Sequence, residues 1–316
     1  MKNILVSILI IIGFGAQLLQ AQYNDELSKE IFKKHKGEIL FSSKEIDLAT
    51  YSEQDIQRSF DLLDELYAQI ILEKTLTQSY KDNNYVYDFD NSKYTYNYAL
   101  RLIVDGDKKA RWLFELPENY FDYALTFDLM LSSNNPKEKR ENSDFVNEWV
   151  NIVSTLKEGK RTFELEIVPI NIDLVGNIHP VLAKGEFTIN IEKDKVDKYL
   201  ELRTTDLPPA TMINKPVEEI IVESSDGIYP YATPLRAFIT DVKEDWSYAT
   251  DEFGNILSRH IIASVVYRMN TSNECWVKTG FYSQQHQGYG NFGPMKHYKE
   301  TNGYYDYQIP CWKLNE

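Results

Sequence analysis

Two stretches decide the fold: Thr162-Phe-Glu-Leu-Glu-Ile-Val168 and Ala183-Lys-Gly-Glu-Phe-Thr-Ile-Asn-Ile191. In each stretch, large apolar residues alternate with Thr, Glu, Lys or Asn. Successive side chains of a strand point to opposite faces, so each stretch has one apolar and one polar face. We therefore predict an antiparallel pair of strands in a sheet with one solvated side.

Similar patterns occur earlier in the chain. Leu100–Val104 and Arg111–Phe114 flank Asp105-Gly106, a dipeptide typical of two-residue hairpin turns. Further apolar runs cover Glu38–Phe41 and Leu125–Leu131. About seven strands thus precede Ile191, and their number and spacing favour a β-sandwich.

One segment in this half favours a helix. Ser52-Glu-Gln-Asp55 has the residue types of a helix N-cap and first turn, and apolar residues follow at helical spacing. We predict a helix as far as Asp64 and a strand over Leu66–Leu72, although the latter run also continues the helical stripe. The charged stretch from Ser132 to Ser143 is predicted to be a loop.

The corner Leu156-x-x-Gly159 stands three residues before the strand that begins at Thr162. It resembles the E–F corner of immunoglobulin-like and fibronectin-type domains, and the resemblance extends over roughly Glu38–Ile191. This resemblance implies an immunoglobulin-like antiparallel β-sandwich. Such domains bind, space or present other groups, and the fold by itself implies no activity.

The composition predicts a linker over Asp206–Pro216, which contains three prolines. We predict a β-sandwich domain with an N-terminal helical segment over residues 22–205, a linker over 206–216 and a smaller domain over 217–316. The smaller domain is predicted to be α+β. Its pattern is a short helix followed by an antiparallel sheet that includes a strand–turn–strand unit from Trp246 to Arg268.

The first residues have the pattern of a secretory signal peptide. Lys2 precedes an apolar run over Ile4–Leu19, and cleavage is predicted after Ala21. The alternative is a transmembrane anchor, for which the run is shorter than the ~20 residues that a span needs. With no second run of that kind, we expect an exported chain, periplasmic or extracellular, with no transmembrane anchor after cleavage.

The charge of the chain limits its partners. A net charge of −14 argues against a general binder of nucleic acid or of anionic membranes. The sequence predicts no cofactor and does not define an oligomeric state.

The chain has two cysteines, Cys275 and Cys311. In an oxidising compartment two cysteines of one domain most simply form a disulfide. Closing a loop of that length is worth about 4 kcal/mol on the chain-entropy model. The alternative is a pair of free, buried thiols.

The overall order is a short Ile-rich leader, a sandwich and a Cys-containing aromatic C-terminal part. This order resembles that of secreted two-domain proteins of Bacteroidota-type bacteria. The resemblance implies export, and it assigns no functional residue.

The segment Trp276–Trp312 is rich in aromatic residues, with ten among 37, interleaved with Gln, Asn, His and Gly. Aromatic faces provide stacking surfaces and amides provide directional hydrogen bonds, a combination that suits a glycan or an extended peptide. The alternative is a glycine-rich loop held against the sheet by buried tyrosines. The predicted ligand-binding residues are Gln285, His286, Tyr289, Asn291, Phe292 and Tyr305.

No catalytic motif accompanies these residues. His286 is the best candidate for a general base, which makes a secreted hydrolase the alternative to a binding protein. A structural spacer of the cell envelope is the third possibility. The histidines do not have zinc-ligand spacing. Asp88-Phe-Asp90 begins like a calcium loop but lacks the glycine and the closing Glu, so a solvated acidic loop is favoured over a calcium site.

Overall fold

The computed structural model describes residues 26–48, 50, 52–75, 78–79, 82, 96–115, 125–169, 180–240, 246–272, 274–300 and 306–315. Within this part the chain is mainly β and forms two curled sheets. Contacts divide the chain into two compact units, the first ending at Arg203 and the second beginning at Thr204. The signal peptide predicted over residues 1–21, the Asp88–Asp90 loop and Tyr305 lie outside the described residues.

The first unit contains eight described strands and four described α-helices. The strands are β1 (Glu38–Ser42), β2 (Ser59–Asp61), β3 (Leu66–Ile71), β4 (Tyr96–Val104), β5 (Asp107–Glu115), β6 (Thr126–Ser132), β7 (Gly159–Pro169) and β8 (Ala183–Ile191). The helices are α1 (Glu26–His35), α2 (Pro136–Glu141), α3 (Ser143–Ser154) and α4 (Val196–Arg203).

These strands form one mixed sheet in the order β5-β4-β7-β8-β1-β3-β6, and β2 also pairs with β8. The predicted antiparallel pair is confirmed as β7 and β8, in which Phe163 lies opposite Phe187. The predicted hairpin is confirmed as β4 and β5. Its turn residues Asp105 and Gly106 both have positive φ, 52° and 85°, as a type I′ turn requires.

The immunoglobulin-like sandwich is not confirmed. The described strands of the first unit belong to one sheet, whereas a sandwich needs two sheets face to face. Helix α3 packs against the apolar side of this sheet, and its buried Trp149 lies 5.8 Å from Phe163 and 6.5 Å from Phe187 between ring centroids. A helix therefore takes the place of the second sheet.

The helix predicted from Ser52 to Asp64 is wrong beyond its first turn. A capping box between Ser52 and Asp55 is present, but it starts only a 3-10 turn over Glu53–Asp55. The backbone then becomes extended, because β2 pairs in parallel with β8 and buries Phe60. The strand predicted from Leu66 is confirmed as β3.

The loop predicted over Ser132–Ser143 is also wrong, since it contains α2. Asn135 caps this helix by accepting a hydrogen bond from the backbone N–H of Lys137, and Pro136 occupies the first turn. Proline at that position suits a helix start, because its missing N–H would have had no partner there.

The second unit contains one described α-helix, α5 (Lys215–Ser225), and seven described strands. The strands are β9 (Ala232–Ile239), β10 (Ser247–Thr250), β11 (Ile256–Met269), β12 (Cys275–Gly288), β13 (Asn291–Phe292), β14 (Lys296–Glu300) and β15 (Tyr307–Ile309). A 3-10 helix covers Cys311–Asn315.

The long strands β11 and β12 form the centre of an antiparallel sheet. β9 and β10 pair with the outer edge of β11, and β13, β14 and β15 pair with the outer edge of β12. Helix α5 packs on one face, where Ser225 Oγ lies 2.9 Å from Tyr282 Oη. The predicted combination of a helix and an antiparallel sheet is present.

The stretch predicted to be a linker, residues 206–216, makes ordered contacts within the second unit. The backbone N–H of Thr211 donates to the carbonyl of Ile239 at 2.8 Å, and Met212 forms a β-bridge with the same residue. Helix α5 begins at Lys215.

The disulfide between Cys275 and Cys311 is confirmed. Its sulfur atoms are 2.06 Å apart, and it joins the start of β12 to the C-terminal 3-10 helix. Buried apolar side chains surround Cys275, among them Phe238, Val266 and Val277. Among the described residues, no helix is both long enough and apolar enough to cross a membrane.

Candidate functional site

Two turns lie at the same end of the second sheet. Ser258 of β11 is paired with Gln285 of β12, so the chain after Gln285 runs beside the chain before Ser258. The β10–β11 turn and the β12–β13 turn are therefore neighbours. We call the exposed side chains at this end the apolar tip: Tyr248, Phe253, Leu257 and Tyr289.

Two of these side chains are far more exposed than large apolar groups usually are. Phe253 is 81% exposed and Tyr289 is fully exposed. Soluble proteins place contiguous apolar groups on the surface mainly where another molecule binds.

The turn that carries Phe253 is held by one carboxylate. Asp251 accepts hydrogen bonds from the backbone N–H groups of Phe253 and Asn255 at 2.9 and 2.8 Å, and from the side-chain amide of Asn255 at 2.8 Å. These bonds, that of the Asn255 side chain first, hold the pKa of Asp251 below its usual value. The turn thus presents the Phe253 ring from an ordered backbone.

The turn that carries Tyr289 has an uncommon backbone. Gly288, Tyr289 and Gly290 all have positive φ, at 91°, 52° and 78°. A left-handed conformation costs a non-glycine residue about 1–3 kcal/mol and is often found at functional sites. The strain is borne by the residue whose ring is most exposed.

Beside the apolar tip, three planar groups are stacked. The Cζ atom of Arg259 lies 4.0 Å from the ring centroid of Trp246 and 4.1 Å from that of Phe292. We call this arrangement the Arg259 stack. A guanidinium group between two ring faces gains cation–π attraction from both and is fixed in its plane.

Gln284 fixes the guanidinium group within that plane. Its Oε1 accepts a hydrogen bond from Arg259 Nε at 2.8 Å, and its Nε2 donates to the carbonyl of Gly293 at 2.9 Å. Gln284 is buried and lies directly opposite Arg259 across the β11–β12 pair. Within the described part of the chain, the two Nη atoms of Arg259 have no hydrogen-bond partner.

The structure brings together some of the residues predicted from the sequence. His286 and Phe292 are register partners, and their ring centroids are 5.3 Å apart. Asn291 is exposed opposite Gly288, two residues after Tyr289. Gln285 is exposed on the face opposite to that of Gln284, because successive strand residues alternate.

Sequence reasoning missed Trp246, Arg259 and Phe253. The cross-strand pairing of Tyr248 with Arg259 and of Arg259 with Gln284 places these groups together. The strand–turn–strand unit predicted from Trp246 to Arg268 could have revealed this arrangement, because its register places Arg259 opposite Tyr248.

Neither His286 nor His260 forms a recognisable catalytic group with the described residues. His286 contacts the Phe292 ring and has no hydrogen-bond partner among the described residues. His260 Nε2 lies 2.8 Å from Ser258 Oγ, and no described carboxylate orients the ring. A serine nucleophile needs such an oriented base. The described residues also contain no group of three or more His, Cys, Asp or Glu placed to hold a metal.

A concave region lies in the first unit, apart from the residues discussed above. A cleft of about 280 Å³ is lined by Gly37–Phe41, Ile56, Arg58, Glu164 and Lys184–Glu186. It carries both signs of charge and no aromatic ring with an exposed face. Its chemistry therefore points to no particular ligand.

No protein-family model matches the chain, and no curated protein matches its sequence.

Proposed function

We propose that the protein is an exported, non-catalytic binding protein of the cell envelope, and that the apolar tip of its second unit binds a glycan. The exposure of Phe253 and Tyr289 on two ordered, neighbouring turns carries this proposal. Leaving two rings in water is unfavourable unless a ligand covers them.

The polar groups near the tip suit a sugar. Gln285, Gln287 and Asn291 are exposed on or next to the same turn. A pyranose ring presents an apolar face that stacks on aromatic rings and hydroxyl groups that exchange hydrogen bonds with amides. A peptide shares part of this chemistry, and the experiment below separates the two.

The N-terminal residues support export. Lys2, the apolar run over Ile4–Leu19 and Ala21 have the pattern of a cleaved signal peptide. We place the mature protein in the periplasm or outside the cell, where envelope glycans are accessible.

The experiment compares ring-deletion variants on an array of glycans and peptides. The mature chain carrying Phe253→Ala and Tyr289→Ala should bind its glycan at least about tenfold more weakly, since each stacked ring contributes roughly 0.5–1.5 kcal/mol beyond its buried area. The melting temperature should stay near that of the wild type, because both side chains are exposed.

Tyr298→Ala is the matched control. Tyr298 is an exposed ring of the same sheet on β14, away from the two turns. Removing it should leave glycan binding unchanged. Binding to peptides alone, or to no member of the array, would contradict the proposal.

A further inference from the structure

The guanidinium group of Arg259 has only one side left for a ligand. The rings of Trp246 and Phe292 both lie against the group, with centroids 4.0 and 4.1 Å from its Cζ atom, and its Nε–H is donated to Gln284. Because a guanidinium group is a planar fork of five N–H donors, what remains is the pair of Nη groups at its outer end.

In two other well-packed arginines of the chain, the Nη groups bind other residues of the protein. Arg203 donates from Nη1 to Asn134 and from Nη2 to the carbonyl of Leu63. An Nη atom of Arg101 pairs with Glu166 at 2.6 Å. Arg259 is as firmly positioned as these, yet within the described residues its outer end has no such partner.

The described neighbours of Arg259 carry no negative charge that would compensate its own. Its register partners are Tyr248 and Gln284, and the stacked rings are also neutral. No described carboxylate lies within ion-pair distance of it. The carboxylate of Asp251, in the adjoining turn, accepts hydrogen bonds from Phe253 and Asn255 of that turn.

We infer that the outer end of Arg259 binds a carboxylate, and that the ligand at the apolar tip is an acidic glycan containing a uronic acid. This inference rests on the proposed function. Two parallel N–H groups match the two oxygens of a carboxylate, and an arginine that is already oriented loses little further freedom on binding. Tyr248, opposite Arg259, provides a half-exposed ring beside the carboxylate position.

The test uses the mature chain and a glycan array with matched pairs of oligosaccharides. The members of a pair share linkage and length, and one has hexuronic acid where the other has neutral hexose. Sulfated glycans and acidic peptides complete the array. The uronic-acid members should bind about 10- to 100-fold more tightly, as expected for hydrogen bonds between charged groups.

Arg259→Gln should abolish this preference and leave the weaker binding of the neutral members. Arg259→Lys keeps a cation between the rings but loses the paired donors, so it should remove most of the preference while retaining the fold. Arg236→Gln is the control, because Arg236 is an exposed arginine of the same sheet that stacks on the single ring of Phe238. It should leave the preference unchanged.

The outcomes separate the two proposals. If no glycan binds, the proposed function fails and this inference fails with it. If both members of each pair bind equally, or if Arg259→Lys keeps the full preference, only the inference is overturned. A preference for sulfated glycans over uronic acids would contradict the proposal that Arg259 binds a carboxylate. Binding of acidic peptides alone would contradict the proposal that the ligand is a glycan.

Discussion

The rings of Phe163 and Phe187 stack across the β7–β8 pair, with centroids 5.2 Å apart and ring planes 15° apart. They are register partners on the two strands whose alternation is clearest in the sequence. Trp149 of α3 packs against both rings. An indole from a helix thus packs against both phenylalanines of the central strand pair.

Trp149→Ala should therefore destabilise the first unit strongly. The side chain is completely buried, and removing a buried tryptophan typically costs about 3–5 kcal/mol. Chemical denaturation followed by circular dichroism measures the change. Tyr231→Ala, at a half-exposed tyrosine, is the control and should shift stability by less than about 0.5 kcal/mol. A similar small shift for Trp149→Ala would mean that α3 does not cover the sheet.

The local parts of this fold were predictable, and the long-range parts were not. The β7–β8 pair and the Asp105-Gly106 turn follow from alternation and turn chemistry within short segments. Counting strands, however, does not show whether they pair in one sheet or two. The parallel pairing of Ser59 with Thr188 joins distant segments, and no local pattern indicates it.

Helix α3 could have been predicted from the sequence, although counting strands drew attention away from its pattern. Its buried residues Phe145, Val146, Trp149, Val150 and Val153 recur at helical spacing. For the site, the aromatic tail indicated Tyr289 and Phe292. The Arg259 stack combines residues from separate strands, so only the strand register could reveal it.

Two glycines should respond to alanine for different reasons. A Cβ at Gly185 would lie 2.3 Å from the backbone carbonyl oxygen of Ile39, so β1 or β8 would have to move. Such overpacking typically costs about 1–3 kcal/mol. Gly106 has open space but a φ of 85°, so Gly106→Ala should cost about 1 kcal/mol from backbone strain alone.

Denaturation of both variants separates the two causes. Gly106→Asn should recover much of the loss at that turn, because asparagine tolerates the left-handed region. Gly185→Asn should be at least as destabilising as Gly185→Ala. The explanation would fail if asparagine rescued both positions equally.

Asp105 should give the first unit a measurable dependence on acid pH. The backbone N–H of Thr162 donates to its carboxylate at 3.0 Å, and this bond, with the Arg161 guanidinium at 3.1 Å, lowers the pKa of Asp105. A lowered folded-state pKa adds stability that is present above the unfolded pKa of about 3.9 and is lost as pH falls through the folded value.

Asp105→Asn tests this linkage. Asparagine suits the left-handed turn and can still accept from Thr162, so the variant removes the charge with little change of shape. The wild type should be more stable than the variant at pH 7, and the difference should shrink as the pH falls below the unfolded pKa of about 3.9. A difference in stability that is constant over this range would contradict the assigned cause.

The disulfide should control the stability of the second unit. Cys275 and Cys311 enclose a separation of 36 residues, for which the chain-entropy model gives about 4 kcal/mol. Replacing both cysteines by serine should lower the melting temperature of the transition that belongs to this unit, and reductant should lower that of the wild type alone. The β7–β8 core lies in the other unit, so its transition should be unaffected if the units unfold separately. If reductant left the melting curve of the wild type unchanged, the bridge would contribute nothing to stability, and buried neighbours such as Val266 and Val277 would account for the order around Cys275.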